Sequence, residues 1–321
     1  MPAPNSSYSE MLSTTIDNYR DTLADNVMEN NVLLKYLKDS SMSDPCSGGV
    51  KMLENLKYAE NGTLIWYSGY EQLVVDASDA LTTAAFDWKQ LNCNVTMSGL
   101  EEMQNNGPEA MHNLIKARIQ VAEATMQNGI SEALFYSNTE NGGKSIGGLQ
   151  HLIADLPSSG TVGGIDRGTN TWWRNQFYDF SGETVTASAS TIQHAMNLMY
   201  LRTERGTEKV KVIVAGESYF SFYEESLQAQ QRFIQDGGRK ATGGFTGYAY
   251  KDAIVFYDPH CNTSRMYGLN PKYIHFRPHK NRNFVILKDK VSVNQDATVT
   301  PLYWGGNLTL SNAARHFVIC A

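Results

Sequence analysis

Residues 57–136 constrain this chain more than any other stretch. Two runs, residues 64–75 (Leu-Ile-Trp-Tyr-Ser-Gly-Tyr-Glu-Gln-Leu-Val-Val) and 86–97 (Phe-Asp-Trp-Lys-Gln-Leu-Asn-Cys-Asn-Val-Thr-Met), flank a small, polar segment at 76–85. Both runs are rich in aromatic and β-branched residues and tend to alternate, which predicts two strands of a long ribbon with 76–85 as its tip. Two strands enclose no core, so such a ribbon is marginal in water and needs a surface to lie on. Another copy of the same chain is the simplest supplier. A long helix is predicted next, opened by Asn105-Asn106-Gly107-Pro108 with the proline in the first turn. Met111, Leu114, Ile115, Arg118, Ala122, Met126, Ile130 and Leu134 mark one face of it, and residues 108–136 would span roughly 40 Å at 1.5 Å per residue.

Upstream, Ser7-Tyr8-Ser9-Glu10 has the form of a capping box ahead of Leu12, Ile16, Tyr19, Leu23 and Val27, an amphipathic helix with one apolar stripe. A short helical piece at 32–37 and a loop at 40–49 follow, so the first 50 residues read as an arm. Downstream, glycine-rich turns at 141–149 and 160–168 precede a mixed region. There, 191–200 and 217–233 read as helices, and 210–214, 248–257, 266–276, 284–287 and 291–303 as strands. Helices and strands without strict βαβ alternation predict an α+β fold.

A net charge of −6 over 321 residues argues against a reader of nucleic-acid sequence, which carries a basic domain. The short basic cluster at 277–282 reads as a charged turn. Neither a secretory leader nor an apolar run of the ~20 residues that a membrane span needs is visible, so no membrane association is expected. Cys46, Cys93, Cys261 and Cys320 are scattered and read as reduced thiols.

Several motifs come close to chemistry. Gly143-Lys144-Ser145-Ile146-Gly147 matches the hydrolase elbow G-x-S-x-G, with Asp155 or Asp258 and His260 or His275 as conceivable partners. The elbow needs a buried strand feeding the serine, whereas residues 136–141 read as a polar loop. The same loop ends like a P-loop but carries Asn138 where the first glycine belongs. His275 and His279 are separated by Pro278 on a strand-like segment, which sets them ~13 Å apart, too far to share a zinc ion. No catalytic residue, metal ligand or cofactor site is therefore assigned, and a non-enzymatic protein is expected.

Taken together, the amphipathic arm, β-ribbon, long helix, glycine turn and mixed lobe resemble the major capsid proteins of tailed bacteriophages, which have the Hong Kong ninety-seven fold. Shorter matches carry the resemblance as well: residues 65–73, Asn106-Gly107-Pro108-Glu109, 160–167 before Trp172-Trp173-Arg174-Asn175, Val293-Asn294-Gln295-Asp296-Ala297, and Gly306-Asn307-Leu308. The resemblance implies an N-terminal arm (1–50), an extended loop (51–98), a peripheral domain with the long helix as its spine (99–189), an axial domain (190–270) and returning strands that complete the peripheral domain (271–321). It implies a structural subunit that self-assembles into hexamers and pentamers of an icosahedral shell around double-stranded DNA, enclosed without sequence-specific binding. The site is then the virion, assembled in the host cytoplasm, with a scaffolding protein, a portal and a decoration protein as partners. Leu12, Ile16, Tyr19, Trp66, Tyr67, Tyr70, Leu73, Phe86, Trp88 and Leu91 are the expected intersubunit contacts. Some members cut off a long N-terminal scaffolding segment; Met1 stands close to the arm here, so a separate scaffolding protein or none is expected. Some also crosslink subunits through a lysine; Lys89 is the sole lysine of the predicted ribbon arms and has no evident partner, so no crosslink is expected. An encapsulin shell of the same fold is the alternative left open, and a serine hydrolase using Ser145 the alternative from another class.

Overall fold

The computed structural model describes residues 31–39, 42–104, 114–229, 247–291 and 295–321. Leu12, Ile16, Tyr19 and the predicted N-terminal helix lie outside them.

The first helix, α1 (Val32–Asp39), buries Leu33, Leu34 and Leu37 at 0–1% exposure in the chain's own core. Its second residue is capped from afar, because Leu33 N–H donates to the buried Asp258 carboxylate at 2.9 Å. The segment expected as part of a free arm is thus docked on its own chain from residue 32 onward. Four buried apolar side chains in eight residues, Val32 with the three leucines, make self-burial the more favourable outcome.

Two sheets organise the body. In the first, the fourteen-residue β14 (Ala297–Leu310) is central. On one edge it pairs antiparallel with β3 (Lys89–Ser98), from Ala297↔Ser98 to Gly306↔Lys89. On the other edge lie β11 (Ile274–Pro278), β12 (Val285–Ile286) and β13 (Lys290–Val291). Helix α2 (Gly99–Gln104) follows β3, and the twenty-residue α3 (Leu114–Ala133), about 30 Å long, packs on β3. Ala122, Met126, Ile130 and Ala133 are buried at helical spacing along one face of α3. It ends in a tight turn in which Tyr136 N–H donates to Ala133 O. The predicted start near Pro108 lies outside the described residues.

The second sheet has the order β6-β15-β10-β7-β9-β8. Its strands are β6 (Gln176–Asp179), β7 (Val212–Ala215), β8 (Tyr248–Tyr250), β9 (Ala253–Tyr257), β10 (Arg265–Leu269) and β15 (Phe317–Cys320). Helices α5 (Ile192–Thr203) and α6 (Glu217–Ala229) share a core with it; the one-turn α4 (Leu149–Leu152) lies between α3 and this region. Two sequence expectations fail here. The single strand expected at 266–276 is two strands in different sheets, broken by the turn in which Tyr273 N–H donates to Asn270 O. The single strand expected at 248–257 is likewise two, β8 and β9, paired antiparallel from Tyr248↔Val255 to Tyr250↔Ala253, while the short β15, absent from the sequence reading, runs parallel to β6 and antiparallel to β10. Its four residues are all buried, as a strand inside a covered sheet must be.

The largest difference is the ribbon. Its hydrogen-bonded part is β1 (Met52–Lys57) against β2 (Leu81–Phe86), in the register Met52↔Phe86 to Lys57↔Leu81. Residues 64–75 form no strand at all. The predicted second arm contains β3, which pairs with β14 over ten residues rather than with 64–75. Residues 81–85, expected as tip, supply a strand instead.

Candidate assembly surface

The base of the ribbon is tied to the body by buried contacts. Met52, Leu56, Ala84 and Phe86 enter the main core. Glu54 shares that inward phase of β1, and it is charge-paired: Arg277 Nη2 lies 2.9 Å from its carboxylate and 3.1 Å from Asp44. Thr309 Oγ1 donates to Glu54 at 2.7 Å. This glutamate in the buried register is why β1 went unread in the sequence. Beneath the ribbon, the two-residue strands β4 (Thr161–Val162) and β5 (Ile165–Asp166) form a small hairpin, and Gly163 in its turn accepts the Ala85 N–H at 2.9 Å. A side chain at Gly163 would meet Ala84 Cβ at 2.8 Å, and its φ of +60° already favours glycine.

Of the expected contact residues, Phe86 is 6% exposed and spent on the chain's own core, which corrects its assignment. Trp88 and Leu91 are half-buried against the same core. Trp88 donates its indole N–H to Gly49 O at 2.8 Å and sits edge-on to His279, with ring centroids 5.4 Å apart. Trp66, Tyr67, Tyr70 and Leu73 are the reverse case. Trp66 is 99% exposed, and Leu64, Tyr67, Tyr70, Leu73 and Val75 are exposed with it. They lie on the 23-residue excursion 58–80, which closes where Tyr58 N–H donates to Ala80 O. Loops of this length without secondary structure are uncommon and usually functional, and apolar side chains clustered in solvent mark a contact surface. Residues 58–80 also carry Glu60, Glu71, Asp76 and Asp79 and no lysine or arginine.

A second feature sits where β3, α3 and the glycine turn meet. Asn138, Asn141, Gly142 and Gly143 all have positive φ, and the Glu140 carboxylate holds the turn by accepting Ser137 Oγ–H at 2.7 Å. Lys89 Nζ donates to Gly143 O. Between these elements lies a cavity of about 270 Å³ walled by Leu91, Ile130, Ala133, Tyr136, Ile146 and Trp304. Lys89 and Lys144 also line it, and no carboxylate does. Ser145 lines it too, with its hydroxyl donating to Glu140 O at 3.0 Å. Ser145 follows a 3₁₀ turn rather than the strand that the hydrolase elbow needs, and neither histidine nor carboxylate is among the residues that line its cavity. Among the described residues, no three His, Cys, Asp or Glu side chains cluster as metal ligands.

Charged groups fasten the elements around this surface. Arg118 of α3 binds Glu101 of α2 through two nitrogens, at 3.1 and 2.9 Å. This hydrogen bonding, with the Ser98 N–H, holds the Glu101 carboxyl down at about 2. Burial, with Arg167 and Lys89 nearby, depresses His151 to about 4. Burial likewise depresses His316 to about 3, its Nδ1 accepting the Asn270 N–H at 3.2 Å.

No protein-family model and no curated protein matches the sequence. Solved structures do. The capsid asymmetric unit of cyanophage A-1(L) superposes with a TM-score of 0.68 at 14% identity, covering 95% of this chain and 96% of that one. The capsid of the native GTA particle gives 0.65 at 9% identity, with 99% of both chains covered. This chain has the Hong Kong ninety-seven fold. An encapsulin, the SrpI complex of Synechococcus elongatus, shares the fold at a TM-score of 0.57 and 8% identity, over 93% of this chain and 91% of that one. The Hong Kong ninety-seven fold here combines an α3 strut, a short paired ribbon and a long unpaired excursion. Sequence reasoning found that excursion through its aromatic content but misread its backbone.

Proposed function

We propose that the chain is the major shell subunit of a tailed-phage-type capsid. Copies of it would form hexamers and pentamers that close an icosahedral shell around double-stranded DNA in a virion. The observation that carries this reading is the excursion 58–80: its large apolar side chains lie in solvent, on a chain whose full-length structural matches include phage capsids. In the domain terms of that family, the sheet around β14 with α3 corresponds to the peripheral domain and the six-stranded sheet with α5 and α6 to the axial domain. β6 and β15 lie in that six-stranded sheet, which supports grouping them with the axial domain. Trp66, Tyr67, Tyr70 and Leu73 are the contacts between copies, with Trp88 and Leu91 at the ribbon's root. Assembly in a host cytoplasm, aided by a scaffolding protein and completed by a portal and a decoration protein, extends the same reading. No catalytic role is assigned.

Expression of the chain, alone and with its scaffolding partner, followed by negative-stain electron microscopy, tests the proposal. Closed shells, capsomer rings or tubes are expected. A species that stays at 35.7 kDa in both conditions would overturn it. The encapsulin match supports a second reading, a compartment that holds a protein cargo. Protein rather than DNA inside shells isolated from the native source would favour that alternative.

A further inference from the structure

The cavity beside α3 is sized for a side chain, being smaller than the ~300–1,000 Å³ typical of cofactor sites. Its wall is aliphatic and aromatic, and two lysines stand at it without a carboxylate among the lining residues. The excursion 58–80 has the complementary character. It carries four acidic residues and no basic one, and its Trp66 is 99% exposed. Glu71 lies five residues from Trp66, its carboxylate accepting the Ser68 N–H at 3.1 Å.

We infer that the cavity bounded by β3, α3 and the glycine turn receives Trp66 from the excursion of a second copy of this chain, with Lys89 and Lys144 facing the acidic residues of that excursion. This rests on the shell reading and specifies which surface of the neighbour takes the excursion. The indole is buried among Leu91, Ile130, Ile146 and Trp304, and an aromatic anchor in a desolvated pocket is the usual source of interface energy. Loop and cavity belong to different places on one chain, so the contact runs head to tail. Repeated around a closed ring, it leaves every cavity filled and every excursion seated.

Two substitutions test this from opposite sides. Trp66→Ala removes the anchor from a fully exposed position. Gly129→Leu fills the cavity: Gly129 lines it, an added Cβ there meets nothing within 4 Å, and the helix gains intrinsic propensity. Both variants should therefore fold, with melting temperatures at or above that of the parent. Each should raise the critical concentration for assembly by ~30-fold, the factor that corresponds to loss of one strong anchor. The double variant should be no worse than either single one. Mixing the two should restore pairs, seen by sedimentation velocity, because the intact Trp66 of one chain can enter the open cavity of the other. Insertion of the excursion into its own cavity would give no such pairs and would overturn the inference. So would parental assembly by either variant. Loss of assembly in Gly129→Leu alone would assign the cavity to another segment, residues 1–30 among them, and overturn it equally. If the parent chain never assembles with scaffold supplied, the shell reading itself falls; if the parent assembles and the variants match it, only the cavity assignment does.

Discussion

Arg277 shows how much can depend on one guanidinium. It faces Glu54 on β1 and Asp44 in the segment after α1, and its Nη1 reaches Cys46 Sγ at 3.3 Å. Arg277→Ala would leave Glu54, 8% exposed, without its counter-charge. Stranding a buried charge costs about 3–5 kcal/mol, to be seen as a lowered urea midpoint. Arg277→Met with Glu54→Leu should recover much of that loss, since an apolar pair of similar size replaces the ion pair at little cost. Phe86→Ala should cost about 3–5 kcal/mol by the same measurement, because its ring is part of the core. Trp66→Ala should leave the isolated subunit's midpoint unchanged.

At the level of elements, strand pairing decided what pattern reading could not. The helices at 192–203 and 217–229 and the buried strand at 212–215 were legible because continuous or helically spaced apolar residues have few other homes. Leu64, Trp66, Tyr70 and Val75 look like strand residues but have no strand partner among the described residues, so identical composition yields an exposed excursion. Glu54 hid β1, because its counter-charge Arg277 lies 223 positions away in sequence. The cavity was illegible for the same reason: its walls come from residues 89–91, 129–146 and 304, which only the fold brings together. Replacing residues 62–77 by a short Gly-Ser linker, while keeping β1 and β2, should leave the melting temperature within a degree or two and abolish shells in micrographs. Unchanged shell yield after that replacement would remove the excursion from assembly.

The whole subunit should weaken in mild acid. His316, His151 and His275 are all held below the ordinary histidine range, mainly by burial, so the unfolded chain takes up their protons first. Stability is then complete above about pH 6.5 and falls as pH drops through the window toward the folded values near 4 and 3. Glu101 works in the same direction further down, losing its contribution as pH falls from 4.5 toward about 2. Between about pH 7 and pH 5, His316 alone should remove about 2 kcal/mol, at 1.4 kcal/mol per pH unit below its unfolded value. Urea denaturation of unassembled subunits at the two pH values checks this, and His316→Gln should flatten the difference.

Only Asp87 and Trp88 separate the last rung of β2 from the first rung of β3. Tension applied to the excursion therefore passes almost directly into β3, and from there into the ten antiparallel residue pairs that bind β3 to β14. Pulled along its length, such a strand loads its hydrogen bonds in shear, all at once, rather than unzipping them singly. A neighbour tugging on the excursion would draw on the strongest seam of the first sheet, so internal pressure on a closed wall would be carried by a strand that is itself the centre of the fold.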